Sequence, residues 1–218
     1  MGRSFITDAI YDYAVAHSEP PDEVQRSLID ATAELGPWAG MQIGPDQAAF
    51  MSILTAVLRP RFVVEIGTFT GYSSLAVANA LPDGGRMLCC DVSEEWTAIA
   101  RAHWASAGVD DRIELVLGPA LDTLGALPPD QEVDLAFIDA DKTGYLAYYE
   151  ELVPRLSSDG LILIDNTLWS GQVAAPPADD DPADTRALRV LNDHVLADPR
   201  TEVAQLTIGD GVTIIRRR

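Results

Sequence analysis

With 218 residues, 47% of them hydrophobic and 22% charged, the chain is long enough to bury a full core as one domain, residues 1–218, and shows no repeat or low-complexity run. A net charge of −19 and a pI near 4.2 argue against nucleic acid as a partner, because phosphate binding needs a basic face. No apolar run reaches the roughly 18 residues of a membrane span, so no membrane partner is expected.

The first stretch, Met1 to Tyr13, carries charges among its apolar residues and lacks the core of a signal peptide. Gly2 follows Met1, but Ile6 stands where a myristoylation signal requires Ser or Thr. Helical spacing over 4–16 (Phe5, Ile6, Ala9, Ile10, Tyr13) and 22–35 (Val24, Leu28, Ile29) is broken by Glu19-Pro20-Pro21-Asp22. A glycine-rich connector, Gly36 to Gly44, holds Trp38 and Met41. A helix follows from Pro45 to Leu58, where proline in the first turn costs no intrahelical bond. Residues 1–58 thus read as helices covering the site of an α/β core over 61–218.

From Arg61 the pattern changes. Strands at 62–66, 86–91, 113–117, 133–139 and 160–165 alternate with helices at 71–80, 95–107, 120–127, 144–153 and 183–197. Two strands near 202–208 and 211–216 close the chain, and Arg216-Arg217-Arg218 reads as a solvated tail. Strand–helix alternation specifies a parallel sheet with helices on both faces. Gly209-Asp210-Gly211 is too short for a crossover, so the last two strands form an antiparallel hairpin. The expected fold is α/β: a doubly wound, Rossmann-like, seven-stranded and mostly parallel sheet with an antiparallel C-terminal hairpin. Adjacent Cys89 and Cys90 in an apolar run predict buried thiols of a reducing compartment, hence a cytoplasmic location.

Four strands run apolar and then end in an acid: Glu65, Asp91, Asp139 and Asp165. In an open parallel sheet ligands bind beyond the carboxyl ends of the strands, and like charges gathered there call for cations or hydroxyl-rich ligands. The first of these strands enters Gly67-Thr68-Phe69-Thr70-Gly71, which is not the dinucleotide fingerprint and so suits a nucleoside better than a pyrophosphate. Asp91, ending the second strand, suits a ribose diol. Asp139 and Asp165 end neighbouring strand candidates and Asn166 adds a neutral oxygen, an all-oxygen set that selects Mg²⁺, Ca²⁺ or Mn²⁺ over zinc. Lys142 is the one lysine among 15 basic residues, and a lysine, unlike arginine, can be tuned to act as a base.

Glu65-Ile-Gly-Thr-Phe-Thr-Gly-Tyr-Ser-Ser, Phe137-Ile-Asp-Ala-Asp-Lys and Asp165-Asn-Thr-Leu-Trp-Ser-Gly together resemble the class I S-adenosylmethionine-dependent O-methyltransferases. The resemblance is to their cation-dependent group, which contains caffeoyl-CoA and catechol O-methyltransferases and bacterial catechol-type enzymes, and it covers the chain from about Met41 to the C-terminus. It implies that Glu65, Gly67, Thr68, Ser73, Asp91 and Ala120 line an S-adenosylmethionine pocket, with Met41 over the cofactor near the acceptor. Asp139, Asp165 and Asn166 would hold a divalent cation, Mg²⁺ first, and the assembly would be a homodimer.

The chemistry expected is methylation of a catechol-like small aromatic molecule at one of two adjacent hydroxyls. Lys142 would take the phenolic proton or steady the phenolate, with Asp139 as the other catalytic residue. Asp139 and Asp141 count among the cofactor contacts, Asp141 orienting either the cofactor or Lys142. Trp169 either walls the acceptor or packs, and Asn192 is a candidate acceptor contact from its helix. Tyr145, Tyr148 and Tyr149 read as core or interface, the three histidines as structural, and the loop from Pro176 to Asp184 as solvated and mobile. The alternatives are a methyltransferase of the same fold on a non-catechol acceptor, or a catalytically silent cofactor-binding protein.

Overall fold

The computed structural model describes residues 7–218; Phe5 and Ile6, expected on the first helix, lie outside them. Three helices, α1 (Asp8–Ala16), α2 (Glu23–Ala33) and α3 (Pro45–Leu58), precede the sheet, with a 3-10 segment at Gly36–Met41. The Pro20-Pro21 break is followed by a capping box on α2: Gln25 N donates to Asp22 Oδ1 at 2.8 Å and Asp22 N to Gln25 Oε1 at 2.9 Å.

The sheet comprises β1 (Phe62–Ile66), β2 (Arg86–Asp91), β3 (Ile113–Leu117), β4 (Val133–Ile138), β5 (Leu156–Ile164), β6 (Thr201–Leu206) and β7 (Val212–Arg217). Between them run α4 (Tyr72–Ala80), α5 (Glu94–Ala107), α6 (Ala120–Ala126), α7 (Tyr145–Leu152) and α8 (Ala183–Ala197). The strand order is β3-β2-β1-β4-β5-β7-β6, parallel except for the two pairings that β7 makes. The hairpin is as expected, and β7 wedges between β5 and β6. Arg216 and Arg217 belong to this strand rather than to a free tail, Arg216 Nε lying 3.0 Å from Glu202 Oε2 across the hairpin.

Two apolar layers follow from the period-2 alternation of the strands. Val64, Ile66, Leu88, Ala136, Ile138 and Ile164 face α6, α7 and α8. Val63, Met87, Cys89, Leu135, Phe137 and Leu163 face α2 to α5. Continuing the second parity one step past each run gives Glu65, Asp91, Asp139 and Asp165. The four acids therefore share a face as well as an edge, at the point between β1 and β4 where the chain reverses its winding direction. Cys89 and Cys90 are buried free thiols. Among the described residues no helix is long and apolar enough to cross a membrane.

Candidate active site

A cavity of about 940 Å³ opens beyond these strand tips, large for one small molecule and adequate for a nucleoside donor with an acceptor. Met41, Gly67, Thr68, Ser73, Asp91, Ala120, Asp139, Asp141, Lys142, Asp165, Asn166 and Trp169 all border it, so the structure brings together most of the residues that the sequence singles out.

The loop after β1 is shaped by close backbone approach. Gly67 has φ +91°, and a Cβ there would lie 1.9 Å from the Asp139 carbonyl oxygen, so only glycine fits between the β1 and β4 tips. Asp91 organises the same loop, Oδ2 accepting from Thr68 N and Phe69 N, both at 2.8 Å, and Oδ1 from Ser93 N at 2.8 Å. A carboxylate has about four acceptor positions, so three are already used and one remains for a further donor.

Glu65 departs from its expected place. It is fully buried and does not border the cavity, because α4 folds across the tip of β1. Ser73 Oγ donates to its Oε1 at 2.6 Å and Cys89 Sγ to its Oε2 at 3.4 Å. Burial far from any cation pushes the carboxyl up to about 8, with the Ser73, Cys89 and Ser74 hydrogen bonds opposing the rise.

At the other end of the cavity, Lys142 Nζ donates to Asp139 Oδ1 at 3.0 Å, to the Ala140 carbonyl at 3.0 Å and to Tyr145 Oη at 2.7 Å. The buried Tyr145 hydroxyl leans on Asp139 Oδ1 at 3.4 Å, and Nζ sits 5.8 Å from the centroid of Trp169. Desolvation, then Asp139 and Asp165, hold the Tyr145 phenol well above its usual range, so it stays protonated. Asp141 turns away from Lys142: its Oδ1 accepts from Tyr148 Oη at 2.6 Å.

Asp165 lies beside Asp139, its backbone N donating to Ile138 O at 3.0 Å. Gln47 Nε2 donates to Asp165 Oδ2 at 2.8 Å and Asn166 N to Oδ1 at 2.6 Å. Burial first, then the Asp139 charge, pushes Asp165 up to about 7 against those bonds and Lys142. Asn166 takes φ +58°, a conformation that Asn tolerates better than most residues, as the chain turns after β5. Asp139, Asp165 and Asn166 all border the cavity, and two carboxylates with an amide oxygen are a donor set that suits a hard cation.

Asn192 does not reach the cavity; its Nδ2 donates to the Thr167 carbonyl at 2.9 Å and ties α8 to the loop that carries Asn166. Gln47, Tyr145 and Tyr148 are the residues that sequence reasoning missed. Tyr145 follows Lys142 by three positions, one helical turn, and that spacing was the available signal; Gln47 had none. The loop from Pro176 is fastened by Arg189, which pairs with Asp181 and donates from Nη2 to the carbonyls of Gln172 at 2.7 Å and Ala175 at 3.0 Å. Elsewhere Glu150, His194 and Asp198 gather two carboxylates and an imidazole, but Arg200 already supplies positive charge to both carboxylates.

A family model described as O-methyltransferase matches residues 15–218. The chain is 42% identical over 213 residues to the probable caffeoyl-CoA O-methyltransferase 2 of Dictyostelium discoideum, covering 96% of this chain and 92% of that protein. It is 40% identical over 224 residues to caffeoyl-CoA O-methyltransferase 2 of Petunia hybrida, covering 97% and 91%. Among solved structures it resembles the SAH-bound methyltransferase of Podospora anserina, with a TM-score of 0.89, 28% identity and all of both chains covered.

Proposed function

Given that the chain belongs to the O-methyltransferase family, we propose that it moves the methyl group of S-adenosylmethionine to one hydroxyl of a vicinal dihydroxy aromatic, with a divalent cation bound by Asp139, Asp165 and Asn166. The observation that supports this reading is that those three residues, Lys142 and Trp169 border one cavity. The names of the relatives agree with it, since a caffeoyl group is a vicinal diphenol.

S-adenosylmethionine supplies the methyl group as a sulfonium, whose sulfur keeps the bonding pair and departs as a neutral thioether when the oxygen–carbon bond forms. The cation supplies Lewis-acid charge that favours loss of a proton from a phenol whose pKa is about 10 in water. This chain's residues do the rest. Asp91 offers its remaining acceptor position to a ribose hydroxyl. Gln42 Oε1, buried at the cavity without a partner among the described residues, accepts from the donor's amino group. Lys142 Nζ gives all three of its donors to neighbours, so it presents charge to a phenolate oxygen rather than a lone pair to a phenol, and the proton leaves to water. Trp169 walls the ring. Fixing donor and acceptor in one cavity contributes roughly 7–11 kcal/mol.

The test is a methyl-transfer assay on 3,4-dihydroxybenzaldehyde with and without EDTA, repeated with Lys142→Ala. Chelation should abolish turnover and added Mg²⁺ restore it, and the variant, lacking the charge that steadies the phenolate, should lose about 100-fold in kcat. Undiminished turnover in EDTA rejects the cation, and full activity of the variant rejects the role of Lys142.

A further inference from the structure

The loop over 166–171, between β5 and α8, carries the Asn166 amide and the Trp169 ring, and its backbone is held in a costly shape. Asn166, Trp169 and Ser170 have φ of +58°, +49° and +50°. They are three of the five non-glycine residues with a left-handed φ among the described residues, so this conformation is concentrated here. Asparagine tolerates that region, whereas Trp and Ser are not among the residues that favour it. Such a shape persists only where its surroundings over-determine it.

Those surroundings converge on Thr167, which is fully buried and stands behind the cavity rather than in its lining. Its backbone N and its Oγ1 both donate to the Gly211 carbonyl at 3.0 Å. Its Oγ1 accepts from Thr213 Oγ1 at 2.9 Å. Its carbonyl accepts from Asn192 Nδ2 at 2.9 Å and from Gln205 Nε2 at 3.2 Å. The turn between β6 and β7, both of those strands and α8 therefore all grip one residue. The same turn holds the next residues: Leu168 N donates to the Asp210 carbonyl at 3.0 Å and Ser170 N to Asp210 Oδ1 at 2.5 Å. Gly211 permits this approach, because a Cβ there would lie 2.7 Å from Leu168 N at a φ of +95°. At the donor end, Asp91 organises the loop after β1 through Thr68 N, Phe69 N and Ser93 N, bonds that involve neither Thr167 nor its partners.

Resting on the cation reading above, we propose that Thr167 is a positioning residue for the cation and acceptor end of the cavity. Its hydroxyl and carbonyl lock the left-handed loop to the hairpin turn and α8, and so set where the Asn166 amide and the Trp169 ring stand. Partners that orient a metal ligand from behind govern how well the ligand set is preorganised, and their loss lowers metal affinity. Because the donor end is fastened by separate bonds, the effect is confined to one half of the cavity.

The test compares the wild type with Thr167→Val, which keeps the shape and removes the hydroxyl, with Thr167→Ser, which keeps the hydroxyl, and with Asn192→Leu, which releases the carbonyl from α8. In the metal-free proteins, hydrogen exchange over 166–171 should be about tenfold faster in Thr167→Val and Asn192→Leu than in the wild type, and close to the wild type in Thr167→Ser. Calorimetric titration with Mg²⁺ should show affinity about tenfold lower in the first two and restored in Thr167→Ser. Affinity for S-adenosylhomocysteine should stay within about twofold in all four proteins. Equal Mg²⁺ affinity in Thr167→Val and the wild type overturns the inference while the cation reading stands. So does a parallel loss of Mg²⁺ and S-adenosylhomocysteine affinity, which marks a general loosening of the fold. If Thr167→Val does not fold, Asn192→Leu decides by the same comparison. A wild type that takes up no Mg²⁺ sinks the cation reading and the inference together.

Discussion

Replacing Glu65 by Gln tests whether a fully buried acid under the cavity floor is kept protonated by the fold. The carboxyl has an ordinary value of 4.5 and is pushed up to about 8 when folded, burial being the main cause. Between those limits the folded chain holds a proton that the unfolded chain has released. Its contribution to stability is therefore complete below about 4.5, declines as pH rises, and levels off above about 8. At about 1.36 kcal/mol per pH unit, the whole interval amounts to roughly 5 kcal/mol, of which about 4 falls between pH 5 and pH 8. Gln cannot ionise, yet it keeps an oxygen for the Ser73 hydroxyl and so leaves the packing intact. Asp165, also raised, is present in both proteins and cancels in the difference. Urea unfolding of the metal-free, cofactor-free proteins at fixed ionic strength should show the wild type losing stability relative to Glu65→Gln by about 4 kcal/mol from pH 5 to pH 8. For a chain of this length that corresponds to roughly 10 °C in relative Tm. Parallel stability curves over that range would refute the reasoning.

Two further outcomes are expected. Gly67→Ala places a methyl group 1.9 Å from the Asp139 carbonyl oxygen at a left-handed φ, so it should cost about 3 kcal/mol or more and weaken S-adenosylmethionine binding, read by thermal unfolding and titration calorimetry. A variant with wild-type Tm and affinity would contradict the tight β1–β4 approach. Gln47→Leu removes the hydrogen bond to Asp165 Oδ2 and with it an effect that lowers the carboxyl's proton affinity. Mg²⁺ affinity should fall roughly 10–100-fold, and further at pH 6.5 than at pH 8 because protons compete better. A loss independent of pH would show that Gln47 acts only by packing.

The strand tips were legible because an apolar run closed by an acid is a local pattern, and because parity is counted along one strand without knowing its neighbours. What lay beyond that pattern depends on how a helix is rotated about its axis. Glu65 reads like the other three acids, yet α4 brings Ser73 over it and makes it interior. Asn192 sits on an amphipathic helix whose apolar stripe, Leu188, Leu191 and Val195, decides its facing, and that facing turns its amide to Thr167 instead of the cavity. Tyr145 was read as core, and it is, but a buried phenol needs a partner, and Lys142 and Asp139 are the ones within reach. Gln47 was invisible because its partner Asp165 stands 118 residues away.

The four acids show how one fold keeps like charges at a single edge, and each is answered by a different means. Glu65 is answered by a retained proton, Asp91 by three backbone N–H groups, and Asp139 by the ammonium of Lys142. Asp165 has the Gln47 amide and the Asn166 N–H, both weaker than a full charge, and among the described residues it pairs with no cationic side chain. It is also buried beside Asp139, only 2% exposed, where an ionised carboxylate is costly. The proposed cation belongs at that tip for this reason. Positive charge there would offset the desolvation of Asp165, beside the place where the proposed acceptor's hydroxyls would lose a proton.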